Sequence, residues 1–264
     1  MLQLNGLSLE YARRRVLDNI GFYAEAGQLW VFLGPNGSGK TTLLKTILGF
    51  LAPSAGQVLL RGRPLDSYSH KQRAQHMAWV PQHLPETSEF SALELLSMGR
   101  LPFCKGLWGP GARERQKALH MLESLGLAQL AERPINQLSG GERRMLWLAR
   151  ALMQAPHILC LDEPTAFLDM PKQSQTLEWL QQRCQNEGLL ALVVLHELNL
   201  ALAYATHVLL LKEGRMVAQG PAAQHLNADT LSALFDMPLT QAQSPQGQTL
   251  MAPKPPSRPC IKNA

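Results

Sequence analysis

The apolar residues of this 264-residue chain follow two periodicities, which predict strands in some regions and helices in others. In residues 2–11 apolar and polar positions alternate, with one slip of phase near Gly6 that is typical of a β-bulge. Residues 20–24 alternate in the same way, whereas residues 29–33 are a continuous apolar run. The alternation predicts half-exposed antiparallel strands, and the continuous run predicts a strand buried on both faces.

The rest of the chain mixes both patterns, apart from one long stretch with almost no strand signal. We predict further strands over residues 57–61, 77–80, 157–161, 189–195, 208–211 and 216–218. We predict helices over residues 91–100, 112–125, 143–153 and 230–235, another helix after Pro171, and a last hairpin over residues 239–251. Strands that alternate with helices indicate an α/β fold, in which residues 88–150 form a helical insertion.

Composition limits the classes of function without choosing among them. Hydrophobic residues make up 45% of the chain and charged residues 17%, as expected for a globular protein with a full core. The longest apolar run, residues 189–195, is far shorter than a membrane span, and the N-terminus lacks a secretory signal pattern. The net charge of +5 suits a nucleic acid, an anionic lipid or a nucleotide, but the basic residues are dispersed and do not discriminate. Four scattered cysteines indicate reduced cytosolic thiols: Cys104, Cys160, Cys184 and Cys260.

The motif at residues 34–41, Gly-Pro-Asn-Gly-Ser-Gly-Lys-Thr, carries the most specific chemistry in the sequence. It fits the pattern G-x-x-x-x-G-K-[ST] and lies between a predicted strand and a predicted helix. Glycines let successive backbone N–H groups converge on phosphate oxygens at the helix N-terminus. Lys40 can neutralise phosphates, and Thr41 can ligate Mg²⁺. The alternative is a glycine-rich turn without a ligand, which leaves the strand and helix on either side unexplained. The apolar face predicted for the helix is Leu44, Ile47, Leu48 and Leu51.

A second helix start follows about a hundred residues later in the chain. The segment 138–142, Leu-Ser-Gly-Gly-Glu, precedes a strong helical pattern, and Ser139 is a favourable N-cap. The free N–H groups at Gly140 and Gly141 would form another anion site. Taken alone, the segment is more typical of an ordinary helix cap, so its function depends on its context.

Polar residues follow three of the predicted strands. Gln82 follows strand 77–80, the pair Asp162 and Glu163 follows strand 157–161, and His196 follows strand 189–195. Ligands of α/β folds bind at the carboxyl ends of such strands. Asp162 can face Mg²⁺ and Glu163 a water, since neighbouring strand residues point to opposite faces. Taken singly, Gln82 is more typical of a polar loop and His196 of a structural histidine.

Three aromatic residues each have two interpretations. Tyr11 can stack on an adenine or pack on the core as a strand residue. Phe103 and Trp108 lie in the loop 101–111 beside Leu107, and they suggest either a partner surface or a local mini-core. The sequence favours neither interpretation.

Taken together, these motifs resemble the ATPase subunits of ABC transporters, over residues 1–240. Residues 34–41, Gln82, residues 138–142, residues 158–169 and His196 occur in that family's order and spacing. Residues 98–102, 195–201 and 210–215 are most similar to the ATPases of importers for iron-siderophores, haem and cobalamin. The resemblance implies an α/β fold with a P-loop NTPase (RecA-like) core, an antiparallel β subdomain and an inserted α-helical subdomain over about residues 88–150. Residues 241–264 would be a C-terminal hairpin and a proline-rich tail that is disordered from Ala252 onward.

The resemblance also implies ATP and Mg²⁺ as ligands. Tyr11 would stack on adenine, Thr41 and Gln82 would ligate Mg²⁺, and Asp162 would support the ion through a water. The phosphates would be held by residues 34–42, which are Gly34, Pro35, Asn36, Gly37, Ser38, Gly39, Lys40, Thr41 and Thr42.

Hydrolysis would use two further residues and a second copy of the chain. Glu163 would polarise the attacking water, and His196 would contact the γ-phosphate. Ser139, Gly140 and Gly141 would complete the site of the opposite subunit. Asp169 would lie in the turn that links the two sites.

Three positions depart from the family's usual sequence. Arg143, Arg144 and Met145 stand where Arg-Gln-Arg is usual, Ala166 and Phe167 stand where a small and a polar residue are common, and Glu197 replaces Asp. No catalytic group is lost. We expect these departures to bear on contacts between subunits.

The partners that the resemblance implies are a second ATPase subunit and a membrane protein. Two copies would form a head-to-tail homodimer at the cytoplasmic face of the membrane, bound to integral-membrane permease subunits. An extracytoplasmic solute-binding protein would take part indirectly, and no nucleic acid would be bound. The candidate permease contacts are Phe90, Leu93, Phe103 and Trp108. The alternatives are a non-transport ABC ATPase of the Fe–S assembly type and the ATPase subunit of an exporter.

Overall fold

The computed structural model describes residues 1–11, 14–85, 89–104, 109–245 and 247–254, and within them the chain forms twelve strands and nine α-helices. The strands are β1 (Leu2–Tyr11), β2 (Arg14–Ala24), β3 (Leu29–Leu33), β4 (Ala55–Leu60), β5 (Arg63–Pro64), β6 (Met77–Val80), β7 (Ile158–Asp162), β8 (Leu190–Val194), β9 (His207–Lys212), β10 (Arg215–Pro221), β11 (Leu239–Gln243) and β12 (Thr249–Pro253). The helices are α1 (Lys40–Ile47), α2 (His70–His76), α3 (Ala92–Met98), α4 (Ala112–Ser124), α5 (Gly140–Met153), α6 (Met170–Glu187), α7 (Leu198–Tyr204), α8 (Ala222–His225) and α9 (Ala228–Phe235).

The central sheet has six strands in the order β10-β9-β3-β8-β7-β6. All its neighbouring strands are parallel except β10, which pairs antiparallel with β9. Every residue of β3, β7 and β8 is buried. Alternate residues of β3 face opposite layers, so that Trp30 packs with α1 and Val31 packs with α6. The continuous apolar runs therefore form the two-sided strands that the sequence predicts.

A second sheet, in the order β2-β1-β4-β5, is antiparallel and carries one polar face. Its register shifts between Leu4 and Leu7, around Gly6, which has a φ of +59°. The predicted bulge is therefore present. Helix α1 contributes Leu43, Leu44 and Ile47 to one apolar core that this sheet shares with the central sheet.

The helical region lies between β6 and β7 in the chain, as predicted. Helices α3, α4 and α5 surround an apolar core of their own. Ser91 and Ser139 cap α3 and α5, and each forms a capping box with the acid three residues later. Among the described helices none is long and apolar enough to cross a membrane.

Several predicted boundaries are wrong for local reasons. Helix α1 ends at Ile47 because Gly49, with a φ of +74°, ends the helical path, so Leu51 lies beyond its apolar face. Helix α6 begins at Met170, before Pro171, because proline fits the first turn and the Asp169 side chain caps the helix. The short helices α2, α7 and α8 lack a long apolar stripe and were not predicted.

The C-terminal hairpin is formed by β11 and β12, and it contacts the core through Met251. The Asn199 side chain in α7 accepts a hydrogen bond from the Met251 N–H at 2.8 Å. Strand β12 reaches Pro253, so the expected disorder from Ala252 onward is wrong for its first residues because this strand pairs with β11. The rest of the proline-rich tail, from residue 255, lies outside the described residues, and so does Cys260. The domain boundary near residue 240 stays a prediction.

Candidate nucleotide-binding site

The loop between β3 and α1 has a backbone that favours glycine. Gly37 and Gly39 have φ values of 75° and 103°, and a Cβ on Gly34 would lie 1.9 Å from the carbonyl oxygen of Leu211 in β9. Gly39 is the N-cap of α1, and no side chain caps this helix. The N–H groups of the first turn have no intrahelical acceptor, so they are available to an anion.

Lys40 is the first residue of α1, and its ammonium group is buried inside the loop. Nζ donates to the carbonyl oxygens of Gly34 at 2.8 Å and Pro35 at 2.9 Å. Burial lowers the pKa of Lys40, and the negative charges of Glu163 and Asp162 act in the opposite direction. The buried Ser38 hydroxyl has no hydrogen-bond partner in the described residues. A buried cation and an unpaired hydroxyl within a loop of free N–H groups fit a phosphate chain.

Thr41 and Asp162 meet at the end of β7. The Thr41 Oγ1 donates to the Asp162 Oδ1 at 3.0 Å, and Asp162 is buried. Burial raises the pKa of Asp162, while the hydrogen bond from Thr41 lowers it. A hydroxyl, a carboxylate and the nearby Gln82 amide are hard oxygen donors, which suit Mg²⁺.

Glu163 and His196 meet at the ends of β7 and β8. The His196 Nε2 lies 2.6 Å from the Glu163 Oε1, so the two side chains form a hydrogen bond. Glu163 has a φ of +51°, and its N–H donates to the carbonyl of Val194 at 3.2 Å. Glu163 is therefore held at the carboxyl edge of the central sheet by contacts to Val194, the last residue of β8, and to His196.

One cavity of ≈ 570 Å³ gathers most of these groups. Its lining comprises Val16, Asn36, Gly37, Gly39, Lys40, Thr41, Thr42, Gln82, Glu163 and His196. Pro35 and Ser38 line a second cavity of ≈ 720 Å³, which shares Val16, Asn36 and Gly37 with the first. Residues predicted from four separate segments therefore meet at one place.

Tyr11 is not among the residues that line this cavity. It ends β1, its side chain is 64% exposed, and the following residues 12–13 lie outside the described part of the chain. Val16 does line the cavity, and our sequence analysis missed it. The available signal was the pair Val16 and Leu17, which directly follows a run of arginines.

The second predicted anion site lies outside the cavity. Ser139 caps α5, accepting from the Glu142 N–H at 3.3 Å, and the Glu142 carboxylate accepts from the Ser139 N–H at 2.9 Å. The hydrogen bonds that the Ser139 N–H and the Ser139 hydroxyl donate to the carboxylate lower the pKa of Glu142. Ser139, Gly140 and Gly141 are thus absent from the lining of the cavity that contains Lys40. Within one chain the two helix starts do not form one site.

The turn after Glu163 carries an exposed aromatic side chain. Phe167 is 86% exposed and has a φ of +65°, and Asp169 caps α6 by accepting from the Lys172 N–H at 3.1 Å. A bulky residue rarely adopts this conformation, so the surrounding turn holds it there.

Arg144 is the second residue that our sequence analysis missed. We expected its departure from the family's usual residue to affect contacts between subunits. The side chain is buried, and it donates to the backbone carbonyls of Pro81, Gln82 and Glu163 in its own chain. Its effect on contacts between subunits stays a prediction. A second consecutive arginine after Leu-Ser-Gly-Gly-Glu was the only signal.

The candidate permease contacts have different surroundings. Leu93 is 2% exposed within the core of the helical region, so its prediction as a surface contact is wrong. Phe90 is exposed, and Phe103 is 39% exposed with the Arg100 guanidinium 4.2 Å from its ring centre. Trp108 and Leu107 lie outside the described residues.

A comparison with protein families finds that residues 17–166 match the model described as "ABC transporter". The iron(3+)-hydroxamate import ATP-binding protein FhuC of Bacillus subtilis (strain 168) is 34% identical over 236 residues, which cover 89% of this chain and 88% of FhuC. The hemin import ATP-binding protein HmuV of Gloeobacter violaceus is 38% identical over 227 residues, covering 83% of this chain and 82% of HmuV. The chain matches the uncharacterized ABC transporter ATP-binding protein YvrA of B. subtilis at 35% identity, but it spans only 58% of that relative's length.

Solved structures of similar fold agree with these relatives. A putative metal-chelate type ABC transporter in an inward-facing conformation is 28% identical, with a TM-score of 0.84 over 97% of this chain and 98% of that one. A dimeric ATP-binding cassette in a post-hydrolysis state with ADP and Pi is 27% identical, with a TM-score of 0.75 over 84% of this chain and 98% of that one.

Proposed function

Since this chain belongs to the ABC transporter family, we propose that it is the ATP-binding and hydrolysing subunit of an importer for iron-siderophores, haem or cobalamin. The observation that carries the proposal is the single cavity that gathers Lys40, Thr41, Gln82, Glu163 and His196. The relatives named for hydroxamate-iron and hemin import support the class of cargo.

In the proposed complex, the triphosphate of ATP occupies the glycine loop. The Lys40 ammonium exchanges the carbonyls of Gly34 and Pro35 for phosphate oxygens, which are stronger acceptors because they are charged. The unpaired Ser38 hydroxyl gains an acceptor at the same time. Val16 offers an apolar surface near the loop, and stacking of Tyr11 on adenine remains part of the proposal.

Thr41, Gln82 and Asp162 would hold Mg²⁺, with Asp162 acting through a water. When bound, the ion would neutralise charge on the phosphate oxygens. The hydrogen bond between Thr41 and Asp162 already brings two of these donors together.

Glu163 and His196 supply the remaining chemistry. The Glu163 carboxylate accepts a hydrogen bond from the attacking water and orients its lone pair toward the γ-phosphorus. His196 forms a hydrogen bond of 2.6 Å with this carboxylate, which restricts the direction of the carboxylate. In the proposed complex His196 would also contact the γ-phosphate. The water oxygen bonds to the γ-phosphorus, the bond to the bridging oxygen of ADP breaks, and the proton of the water leaves through Glu163.

The active unit that we propose is a head-to-tail homodimer with two ATP molecules at its interface. Ser139, Gly140 and Gly141 of one copy face the γ-phosphate held by Lys40 of the other. ATP would then join the copies, and loss of the γ-phosphate would release them. The exposed side chain of Phe167 lies in the turn capped by Asp169, next to α6, where the second copy would approach.

Two integral-membrane permease subunits would bind this dimer at the cytoplasmic face of the membrane, and a solute-binding protein outside would deliver cargo to them. We propose that Phe90 and Phe103 contribute to the permease contact, since both are exposed at the helical region. The names of the importer relatives support this arrangement.

Two experiments test the proposal. The purified wild-type chain should bind Mg-ATP and release phosphate, and Lys40→Ala should lower ATP affinity by about 10²-fold, because a buried charge pair is lost. A strain that lacks this protein should fail to grow on haem or a ferric siderophore as its only iron source. Wild-type protein, but not Glu163→Gln, should restore growth. Growth without the protein contradicts import of haem and iron-siderophores, and rescue by Glu163→Gln contradicts the role of Glu163 in driving import.

A further inference from the structure

Arg144 forms a direct link between three segments that the proposed reaction uses. It lies in the second turn of α5, and its side chain is 4% exposed. Its Nη1 donates to the carbonyls of Pro81 at 3.0 Å and Gln82 at 3.1 Å, and its Nη2 donates to the carbonyl of Glu163 at 2.7 Å. One guanidinium group therefore holds both the segment of Gln82 and the segment of Glu163.

The link is made to backbone carbonyls rather than to an acid. Burial lowers the pKa of Arg144, whereas the charges of Glu163 and Asp162 raise it. A buried cation is costly unless its donors are used, and hydrogen bonds from a charged donor are stronger than those between neutral groups. Losing the guanidinium would also leave three partly buried carbonyls short of a donor. The arrangement is therefore stiff, and a replacement without donors breaks it completely.

The backbone conformation and the side-chain direction of Glu163 depend on its neighbours more than those of an ordinary strand residue do. Its φ of +51° lies in a region that non-glycine residues rarely occupy. Its carbonyl accepts from the Ala166 N–H at 3.2 Å as well as from Arg144, and its carboxylate contacts His196. The direction of the catalytic carboxylate therefore depends on contacts at both ends of the residue.

Arg144 is also close to the second anion site. It lies five residues after Ser139, which is about 7 Å along a rigid helix axis. A small shift of the first turn of α5 therefore moves the Arg144 side chain. The carbonyls that accept hydrogen bonds from this side chain then move as well.

We propose that Arg144 is a positioning residue that couples the anion site at the start of α5 to the placement of Glu163 and Gln82. This inference rests on the proposed function, because it assumes that the start of α5 binds the nucleotide held by a second copy. When the start of α5 binds the nucleotide held by the second copy, Arg144 aligns Glu163 and Gln82 of its own chain. Each copy therefore hydrolyses its own ATP fastest when both nucleotides of the dimer are bound. Arg144 does not touch the phosphates itself.

The alternative is that Arg144 only stabilises the fold. Arg73 provides a matched control, since it also donates to two backbone carbonyls, those of Tyr68 at 3.1 Å and Gly49 at 3.4 Å, away from the cavity. We would compare Arg144→Met, Arg144→Lys and Arg73→Met in the full-length protein. The measurements are ATP affinity, kcat for phosphate release, and melting temperature.

Arg144→Met should lower kcat by about 10²-fold, because small displacements of reacting groups have effects of that size. ATP affinity should stay within about 2-fold, since Lys40 and the glycine loop are unchanged. Arg144→Lys should recover part of the loss. Arg73→Met should lower the melting temperature without changing kcat. If Arg144→Met does not fold, Arg144→Lys carries the test, with kcat lowered by about 10-fold at unchanged affinity.

A double-mutant cycle with Ser139→Ala separates coupling from a structural role. If Arg144 couples the two sites, Ser139→Ala should lower kcat much less in the Arg144→Lys background than in the wild type. In the Arg73→Met background its effect should be the full wild-type effect.

Additive effects of Ser139→Ala and Arg144→Lys, or a wild-type kcat in both Arg144 variants, would overturn the proposal. Failure of the proposed function is distinguishable: the wild type and Arg73→Met would then release no phosphate, and Lys40→Ala would not change ATP affinity.

Discussion

The start of α1 and the start of α5 have the same anion-binding features, but their surroundings differ. The first turn of α1 opens on a cavity that also holds Gln82, Glu163 and His196. The first turn of α5 is closed on itself by the Ser139–Glu142 capping box, and it lies outside that cavity. The α1 start therefore has Lys40, Thr41, Glu163 and His196 around it. Gly140 at the α5 start shares a cavity with Gln82 but with none of these four residues.

This difference explains why a single chain is an incomplete catalyst in our account. An anion at α1 meets a cation, a hydroxyl and a carboxylate in the same chain. An anion at α5 would meet the helix N-terminus and the Lys172 ammonium, which lies 3.8 Å from a Cβ placed on Gly141. In our account the phosphate bound there is one that another copy holds.

The largest effect should come from the groups around α1. Glu163→Gln removes the carboxylate that we propose as the base but keeps the size of the side chain and its ability to form hydrogen bonds. We expect phosphate release to fall by about 10³-fold, the range for loss of a general base, while ATP affinity stays near the wild-type value. Phosphate release at the wild-type rate would show that another group activates the water.

A smaller loss should follow from a charge placed at the start of α5. Gly141 has room for a side chain, since a Cβ there would meet its nearest neighbour, the Leu168 Cδ2, at 3.5 Å. Gly141→Asp places an acid in the first turn, which favours the helix, but its charge would repel a phosphate bound there. We expect kcat to fall by about 10²-fold with ATP affinity at Lys40 unchanged.

Gly141→Asn is the matched neutral control for this variant. It has the same shape without the charge, and it should retain about 10-fold more activity than Gly141→Asp. Equal activities of the two variants would mean that no anion binds at the start of α5.

The two acids beside the helix starts should respond to pH with opposite signs. Burial raises the pKa of Asp162, so the folded chain binds its proton more tightly than the unfolded chain does. The associated stability is present at low pH and is lost as the pH rises through the folded-state pKa. Without ATP or Mg²⁺, Asp162→Asn should therefore raise the melting temperature near neutral pH. The rise should be roughly 2–4 °C for each kcal/mol gained in the free energy of unfolding. A drop in melting temperature would contradict this.

Glu142 should show the reverse dependence and the smallest effect. The hydrogen bonds from the Ser139 N–H and hydroxyl lower the pKa of Glu142 below the usual 4.5. The ionised carboxylate therefore stabilises the fold above that pH, and this contribution is lost as the pH falls through the folded-state pKa. Glu142→Gln should lower stability at pH 7 by less than about 1 kcal/mol. Urea unfolding should show that the difference in free energy of unfolding between the wild type and Glu142→Gln is smaller at pH 3 than at pH 7. An equal difference at the two pH values would show that the charge of Glu142 does not stabilise the fold.

Much of the α1 region could be predicted from sequence because its signals are local. A buried strand, a glycine loop and a lysine fix the phosphate site within a dozen residues. The strand ends of Asp162, Glu163 and His196 were also predictable, since parallel strands present their carboxyl ends at one edge of a sheet. The structure confirms that these residues lie together.

The relation of α5 to the sheet was not predictable in the same way. The sequence shows that Arg144 lies on a helix, but which side of that helix faces Gln82 depends on packing between separate layers. For the same reason Leu93 was expected at the surface and lies in the core of the helical region. Tyr11 is the last residue of β1, and the alternation of apolar residues along that strand does not indicate its distance from the glycine loop.

The central claim is that one ATP joins the α1 start of one copy to the α5 start of another. The most direct test is the oligomeric state of Glu163→Gln by light scattering during size-exclusion chromatography, with and without Mg-ATP. We predict monomers without nucleotide and dimers with ATP, and we predict that Gly141→Asp added to this variant abolishes the dimer without abolishing ATP binding. A chain that binds ATP but remains monomeric at saturating ATP would contradict the account.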